Sequence, residues 1–312
     1  MKYIPPLFLF NAHLETIYPA LLRTVKLQPY QRERIATPDD DFLDLDWLTQ
    51  NSDKLVIISH GLEGNTDRAY IKGMARASNL AGYDVLTWNY RGCSEELNNQ
   101  LRFYHSGSTD DLETVIQHAA TSGKYTEINL IGFSLGGNLT LKYLGENREK
   151  TNLLKRAVTF SVPLELHTSC IQISKPGNWV YSQRFLRSLK KKVSDKARLW
   201  KELDTRGLSK VKTLIEFDDH FTGPLHGFKN AIDYYEKCSS IHFIKNINIP
   251  TLVISAKNDP FLSSECYPDE SIKDNAFMKF EKPDFGGHVG FTQFNRNGLY
   301  WSEERAISFL QS

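Results

Sequence analysis

The pentapeptide Gly132-Phe133-Ser134-Leu135-Gly136 lies between a strand-like run at residues 127–131 and an apolar, helix-forming run at residues 135–144. Gly-x-Ser-x-Gly in that setting is the pattern of a nucleophile elbow, in which the serine occupies a tight, strained turn. Side chains at Gly132 and Gly136 would clash in such a turn, and the following helix N-terminus can stabilise negative charge. The pattern predicts a reactive Ser134; the alternative is an ordinary glycine-rich turn with a solvent-facing serine.

Short apolar runs alternate with helix-forming segments along most of the chain. The runs that predict strands are residues 54–59, 83–88, 127–131, 156–161, 251–256 and 277–281. The segments that predict helices are residues 111–120, 135–144 and about 302–310. Residues 31–36 and 41–48 alternate around a turn and predict a β-hairpin. This order predicts an α/β fold with a mostly parallel sheet that binds ligands at the carboxyl ends of its strands.

The alternation stops at Pro163 and resumes at Pro250. An interval of that length is too long for a loop, so we expect it to carry its own structure. We predict a core of residues 1–162 and 249–312, with an N-terminal arm over about residues 1–30. Residues 163–248 are predicted to form a largely helical cap inserted into that core.

A serine hydroxyl is a weak nucleophile unless a base takes its proton and an acid orients that base. Asp259 follows the strand-like run at residues 251–256, and His288 lies in a glycine-rich loop after the run at residues 277–281. The order serine, acid, histidine is the one expected for a nucleophile elbow in this fold class. Ser134, Asp259 and His288 are therefore predicted to meet at one sheet edge. Glu165, which follows the preceding strand-like run, is the alternative acid.

The same chemistry needs two donors for an oxyanion. One is the backbone N–H of Leu135, directly after the serine, and the other is expected in the loop His60-Gly61-Leu62-Glu63-Gly64 after the run at residues 54–59. We assign the second donor to the N–H of Leu62. Gly61 and His60 are expected to shape this loop, and His60 is not expected to titrate in catalysis.

Taken together, the segments HGLEG, GFSLGGN and GGHVGF resemble the YheT-like branch of the α/β-hydrolase fold superfamily. Further segments that resemble this branch are residues 11–16, 89–94, 104–107, 216–219 and 256–261. The resemblance covers nearly the whole chain and implies the same triad of Ser134, Asp259 and His288. It also implies a carboxylesterase in bacterial members. Eukaryotic relatives act on phospholipids or medium-chain acyl esters, and some transfer the acyl group to an alcohol.

Residues 105–110 contain His105 and Asp110 in the His-x4-Asp spacing that glycerolipid acyltransferases use to deprotonate an alcohol. A second catalytic centre beside a complete triad would be redundant. We therefore favour a helix-start loop, with Thr109 or Asp110 as the cap.

Residues 184–212 hold eleven lysines and arginines against three acids, a net charge of +8. With Phe185, Leu189 and Trp200 interleaved, this segment could rest on an anionic lipid surface. The solvated outer face of cap helices is the commoner case and is the interpretation we favour.

Composition excludes several other classes. The 312 residues are 40% hydrophobic and 24% charged, which argues against disorder, and a formal charge of +1 gives no global field for nucleic acid. The four cysteines are far apart, which predicts reduced thiols, not a disulfide framework or a zinc site. The chain lacks motifs for a zinc peptidase, P-loop or dinucleotide site, so we expect no cofactor and no metal. The apolar run near the N-terminus is too short for a signal peptide, which predicts a cytoplasmic chain.

These features predict a serine hydrolase that cleaves a small-molecule acyl ester, of lipid-like or medium chain length, through an acyl-enzyme. An acyltransferase that passes the acyl group to an alcohol uses the same residues and is the second hypothesis. A non-catalytic binding scaffold is the third. The sequence leaves the oligomeric state open.

Overall fold

The apolar runs of the sequence form the inner strands of one sheet. In the computed structural model, which describes residues 2–146 and 151–312, the sheet has eight strands. They are β1 (Gln31–Ala36), β2 (Phe42–Leu48), β3 (Lys54–Ser59), β4 (Asp84–Asn89), β5 (Glu127–Phe133), β6 (Leu154–Phe160), β7 (Thr251–Ile254) and β8 (Met278–Glu281). The strand order is β1-β2-β4-β3-β5-β6-β7-β8. β2 pairs antiparallel with β1 and β4, and the remaining neighbours are parallel.

Helices cover both faces of this sheet and fill the interval between β6 and β7. They are α1 (Ala12–Leu22), α2 (Ala69–Leu80), α3 (Thr109–Thr121), α4 (Leu135–Gly145), α5 (Leu166–Ile173), α6 (Trp179–Leu199), α7 (Leu214–Phe217), α8 (Gly223–Leu225), α9 (Ala231–Cys238), α10 (Asp269–Lys273) and α11 (Trp301–Leu310). Short 3₁₀ helices occupy Pro176–Asn178, Ser240–His242, Ile244–Asn246 and Ser264–Cys266, and Asp218–Thr222 forms a π-helical turn. Among the helices of residues 2–146 and 151–312, none combines the length and apolar character needed to cross a bilayer.

Strand β3 shows why the sheet is covered on both faces. Leu55 and Ile57 pack into one apolar cluster, and Val56 and Ile58 pack into a second cluster across the sheet. All four side chains are at most 1% exposed. Successive side chains of a strand point to opposite faces, so a continuous apolar run indicates two buried faces. The predicted mostly parallel sheet flanked by helices is confirmed.

Most predicted elements match the structure within a few residues. The hairpin is formed by β1 and β2, and the strand predicted at residues 83–88 is shifted by one residue to Asp84–Asn89. Outside the interval between β6 and β7, three helices were not predicted: α2, α10, and α1 within the N-terminal arm. In α1, Pro19 lies inside the helix, a position that the sequence pattern argues against. The side chain of Asn11 caps this helix by accepting the Leu14 N–H at 2.9 Å.

The interval between β6 and β7 contains helices α5–α9 and, over residues 161–250, no strand. The basic segment at residues 184–212 starts on α6 and continues into the loop that follows it. The division of the chain into a core and a cap stays a prediction.

A buried arginine joins the β1–β2 turn to α3. The Arg91 side chain is 1% exposed and forms salt bridges with Asp41 at 2.8 Å, Asp39 at 2.9 Å and Asp111 at 2.7 Å. Asp41 and Asp111 are also buried. A buried carboxylate that loses its partner keeps the cost of desolvation without the compensating charge.

We expect Arg91→Met to lower the free energy of unfolding by about 3–5 kcal/mol, because it leaves buried carboxylates unpaired. Equilibrium denaturation in urea measures the change. Arg206→Met is the matched control, since Arg206 pairs with Asp204 on the exposed surface and its loss should leave the unfolding midpoint unchanged. Equal midpoints for both variants would contradict a stabilising role for the Arg91 cluster.

Candidate active site

Ser134 lies in the turn between β5 and α4, in a strained backbone conformation with φ +52° and ψ −119°. Its amide donates to the Phe160 carbonyl on β6 at 2.8 Å, which holds the turn against the sheet. A Cβ at Gly132 would lie 2.7 Å from the Gly137 Cα, and one at Gly136 would lie 2.5 Å from the His60 carbonyl oxygen. Neither position has room for a side chain, which agrees with the steric argument made from the sequence.

Three predicted residues from distant parts of the chain form one line of hydrogen bonds. The His288 Nε2 lies 3.0 Å from the Ser134 Oγ, and the His288 Nδ1 lies 2.9 Å from the Asp259 Oδ2. The Asp259 side chain is fully buried, whereas that of His288 is 11% exposed. Asp259 Oδ1 also accepts the Phe261 N–H at 2.9 Å, which fixes the carboxylate. This geometry lets a proton pass from Ser134 to His288 while the carboxylate orients the ring.

Helix α1 fixes the loop that carries His288. The His288 N–H donates to the Thr16 Oγ1 at 2.9 Å, and the Gly286 N–H donates to the Glu15 Oε2 at 2.9 Å. The same Glu15 oxygen accepts from the Asn258 side-chain amide at 2.7 Å. Sequence analysis assigned no role to Glu15, Thr16 or Asn258. The only signal was that residues 11–16 belong to the segments that resemble the YheT-like branch.

The loop after β3 passes beside Ser134. A Cβ at Gly61 would lie 3.2 Å from the Ser134 Cβ, and the next residue, Leu62, lines the same cavities as Ser134. Among the hydrogen bonds of the described residues, the backbone N–H groups of Leu62 and Leu135 have no acceptor. Two unused donors beside the serine are what an oxyanion needs, although their assignment to that role stays a prediction.

His60 supports this loop from below. Its Nδ1 donates to the Gly61 carbonyl at 2.7 Å, and its Nε2 accepts the Tyr90 N–H at 3.3 Å. Burial lowers the pKa of His60 to about 3, so the ring stays neutral near neutral pH. These contacts agree with the expectation that His60 shapes the loop.

Glu63 ties the same loop to α6. Its Oε1 forms a salt bridge with the Lys192 Nζ at 2.6 Å, and its Oε2 accepts from the Ser188 hydroxyl. Burial acts to raise the pKa of Glu63, but the ammonium group of Lys192 holds it below its ordinary value. The loop beside Ser134 and the helical interval between β6 and β7 are therefore linked by a buried ion pair.

Two cavities meet at Ser134 and His288. The narrower has a volume of about 120 Å³ and extends among α5, α6, α7 and α9, with Leu166, Ile173 and Leu214 on its walls. The wider has a volume of about 430 Å³ and lies between α1 and the start of α6. A carbonyl carbon bound at Ser134 could therefore place one of its two substituents in each cavity.

The alternative acid, Glu165, has another function. It caps α5, where its side chain accepts the N–H groups of His167 and Thr168. The His288 Nδ1 contacts Asp259 instead, at 2.9 Å. The structure thus brings Asp259, and not Glu165, to His288.

His105 lines the narrower cavity, and Asp110 is exposed in the first turn of α3. The His105 Nδ1 accepts the Gly107 N–H at 3.1 Å. A ring nitrogen that accepts a hydrogen bond carries no proton. The His105 Nδ1 therefore cannot donate a hydrogen bond to a carboxylate, as the histidine base of an acyltransferase would. Burial lowers the pKa of His105 well below its ordinary value. This environment favours the helix-start interpretation of residues 105–110, but the predicted cap at Thr109 or Asp110 is wrong, because both residues lie inside α3 and Ser108 is at its N-cap.

The four cysteines are free thiols. Within residues 2–146 and 151–312, no group of three or more His, Cys, Asp or Glu side chains could hold a metal ion.

Comparison with known proteins places this site in a family. Residues 54–291 match the family model described as "alpha/beta hydrolase fold". The chain is 34% identical to the Escherichia coli (strain K12) protein named "Putative esterase YheT" over 301 residues, 93% of this chain and 87% of that protein. The chain belongs to the α/β-hydrolase fold family. The resemblance of this α/β hydrolase to the YheT-like branch, which was predicted from the sequence, is confirmed.

Two further proteins are similar to this α/β hydrolase, one in sequence and one in structure. It is 30% identical to the Bos taurus protein named "Phospholipase ABHD3", over 93% of this chain and 73% of that one. The Pyrococcus furiosus esterase Pf2001 superposes with a TM-score of 0.61 at 19% identity and covers 93% of this chain and 95% of its own. The similarity to Pf2001 supports the fold alone.

We expect Gly132→Ala to disrupt the turn at Ser134, because the added methyl group would meet the backbone of α4. Overpacking of this kind costs about 1–3 kcal/mol. Thermal denaturation should show a lower midpoint than the wild type. Gly177→Ala is the matched control, because a Cβ there has no neighbouring atom within 4 Å. An unchanged midpoint for Gly132→Ala would contradict the close packing of this turn.

Proposed function

We propose that this α/β hydrolase is a serine esterase that cleaves carboxylic esters of lipid-like or medium-length acyl groups through an acyl-enzyme on Ser134. The observation that carries the proposal is the chain of hydrogen bonds from Asp259 through His288 to Ser134. The names of the relatives, an esterase and a phospholipase, support an ester as the substrate class.

In the proposed mechanism, the Ser134 Oγ attacks the ester carbonyl carbon while the His288 Nε2 takes the hydroxyl proton. Asp259 keeps the His288 ring in the tautomer with the proton on Nδ1 and stabilises the imidazolium. The negative charge on the carbonyl oxygen is met by the N–H groups of Leu62 and Leu135, each worth about 3–4 kcal/mol in the transition state. His288 then returns the proton to the departing alcohol oxygen.

Water completes the reaction. It attacks the acyl-enzyme, gives its proton to His288 and releases the acid, while the proton returns to the Ser134 oxygen. We assign the acyl chain to the narrower cavity, since aliphatic side chains such as Leu166 and Ile173 form its walls. The alcohol portion then lies in the wider cavity. No step in this sequence calls for a cofactor or a metal.

Acyl transfer to an alcohol remains the second hypothesis, since an alcohol in the place of water uses the same residues. The environment of His105 argues against a separate acyl-transfer base at residues 105–110. The binding-scaffold hypothesis has less support, because a scaffold has no use for a buried acid, a base and a strained serine in one line. The cytoplasmic location stays a prediction from the sequence, and the oligomeric state stays open.

A fluorophosphonate probe tests the proposed nucleophile. We expect it to label the wild-type protein, and Ser134→Ala to lose labelling and ester hydrolysis because no hydroxyl remains. His288→Ala should lose both because no base remains. Asp259→Asn should lower kcat by about 10³- to 10⁴-fold, since it removes the charge that orients the histidine. Mass spectrometry of the labelled peptide and steady-state kinetics give the two readouts.

Ser122, which is exposed, and His118, which is half-buried at the end of α3, lie away from the site and provide matched controls, so Ser122→Ala and His118→Ala should behave as the wild type. Circular dichroism verifies that each variant is folded. Labelling that survives in folded Ser134→Ala would show that the nucleophile is elsewhere. A folded wild type without labelling or ester hydrolysis would favour the binding scaffold.

Adding a primary alcohol to a panel of esters of graded acyl length separates hydrolysis from acyl transfer. Hydrolysis releases the acid and acyl transfer forms a new ester, and both products are quantified. We expect acid as the main product, and an unchanged product ratio for Asp110→Asn, because this exposed carboxylate has no part in the mechanism. His288→Ala should abolish both products. Loss of the new ester alone in Asp110→Asn would instead support a second acyl-transfer centre at residues 105–110.

A further inference from the structure

Exposed apolar side chains are concentrated on one face of the molecule. Sixteen large apolar side chains are exposed among the described residues, and eleven of them belong to the arm and α1, the start of α6, or two loops beside α1. We call these eleven the entrance face: Ile4, Leu7, Phe8, Phe10, Ile17, Leu21, Leu22, Trp179, Val180, Phe285 and Phe294. Leu7 is 98% exposed and Phe10 is 76% exposed. Isolated exposed apolar residues are ordinary, but a concentration of them marks an interaction surface.

Contacts between the segments place these residues side by side. Phe8 packs against Tyr18 of α1 and against Phe294, with ring centroids 5.2 Å and 6.0 Å apart. The His13 Nδ1 in the first turn of α1 lies 3.1 Å from the Tyr181 hydroxyl in the first turn of α6. The arm, α1 and the start of α6 therefore form one continuous surface.

Unpaired cations border the arm, α1 and the start of α6, and the exposed acid Asp284 beside Phe285 is paired with Lys257. The only acid among residues 2–22 is Glu15, which is 1% exposed and hydrogen-bonded to the His288 loop. Residues 175–194 contain six lysines and arginines and no acid. Lys175, Arg184 and Arg187 are exposed and form no salt bridge with any residue that the structure describes.

Other cations of the basic segment are already engaged. Lys192 is paired with Glu63, Lys191 with Asp195, and Arg206 with Asp204. Lys196 is buried, where its ammonium group donates to the Asn98 side chain. Among the exposed cations of residues 184–212 that form no salt bridge with a described residue, Arg184 and Arg187 lie on the part of α6 that borders the entrance face, and the others lie in the loop after α6.

The wider cavity connects the entrance face to the serine. Its walls include the exposed side chains of Ile17, Leu21 and Val180 at one end, and Ser134 and His288 at the other. An ester whose acyl chain starts in an apolar phase could thus reach Ser134 along apolar walls.

We propose that the entrance face docks on an anionic phospholipid bilayer and that the wider cavity admits the ester from that bilayer. The route to Ser134 rests on the proposed esterase function, whereas the docking does not. Aromatic and aliphatic side chains bordered by unpaired cations fit the interface of such a bilayer. A second copy of this chain fits less well, because a two-fold interface would bring the unpaired cations Lys175, Arg184 and Arg187 close to the same cations of the second copy.

Flotation with vesicles tests the docking without turnover. Full-length Ser134→Ala is mixed with vesicles of phosphatidylcholine, or of phosphatidylcholine with phosphatidylglycerol, and centrifuged through a density gradient. We expect the protein to float with the vesicles that contain phosphatidylglycerol and to float less with phosphatidylcholine alone. Equal absence from both vesicle fractions would overturn the proposal.

A matched pair of double variants locates the surface. In the Ser134→Ala background, Leu7→Ser with Phe10→Ser should reduce the bound fraction by about tenfold or more, since two apolar side chains no longer enter the bilayer. Leu80→Ser with Phe277→Ser removes the same residue types where α2 ends and just before β8, at the opposite edge of the sheet. This control should float unchanged. Equal flotation of the two double variants would overturn the assignment to the entrance face.

A second pair tests the charge. Lys175→Glu with Arg187→Glu should abolish the preference for phosphatidylglycerol, whereas Lys155→Glu with Lys245→Glu, near the amino ends of β6 and β7, should keep it. Equal preference in both would overturn the role of the cationic border. Sedimentation velocity addresses the competing occupant: a dimer that dissociates in Leu7→Ser with Phe10→Ser would show that a second copy covers the face.

Esterase assays with Ser134 intact separate this proposal from the proposed function. The Leu7→Ser with Phe10→Ser variant should hydrolyse a short water-soluble ester at the wild-type rate and lose activity toward an ester embedded in vesicles. This result would support the docking and exclude misfolding. A wild type that floats but hydrolyses no ester would refute the esterase and leave the docking intact. Hydrolysis of embedded esters without flotation would refute the docking alone.

Discussion

The backbone turn at Ser134 is the constraint on which the rest of the site depends. An L-residue with φ +52° is held there by tertiary contacts, because the conformation is unfavourable in an isolated chain. The Ser134 amide is bonded to β6, and the absence of a side chain at Gly132 and Gly136 lets α4 and the loop after β3 approach the turn. As a result the serine oxygen, the N-terminus of α4 and the His288 ring converge at the carboxyl edge of the sheet.

The base in this arrangement is positioned by a different mechanism. His288 lies in a loop without regular structure, and the side chains of Glu15 and Thr16 on α1 hold that loop through its amides. Glu15 is buried and also binds Asn258, next to Asp259. The Glu15 carboxylate therefore orders both the loop that carries Asp259 and the loop that carries His288, although it contacts neither of these two side chains. An electrostatic anchor of this kind gives precision to a loop that packing alone would leave loosely defined.

The sequence allowed the sheet and the three reacting side chains to be predicted, because both follow from local patterns. Apolar, β-branched runs such as residues 54–59 indicate buried strands, and a polar residue directly after such a run lies at a known edge of the sheet. Helix α1 was missed because the prolines interspersed in the first thirty residues favour an irregular arm, whereas Pro19 lies inside the helix. The role of Glu15 was missed because its partner, Gly286, is 271 residues away, and no local pattern reports such a contact. The shapes of the two cavities depend on how α5–α9 pack, and that packing follows from many weak contacts with no sequence signature.

The contact between α1 and the His288 loop also has a consequence for synthesis. The arm and α1 leave the ribosome well before the loop that they support, because Glu15 and Gly286 are 271 residues apart. At about 5–20 residues per second, the first helix is without its partner for roughly 15–50 s. During that time the His288 loop is not available to cover the side of α1 that it contacts. The proposed esterase site can thus be completed only after the His288 loop has been synthesised, so a nascent chain that lacks this loop has no activity.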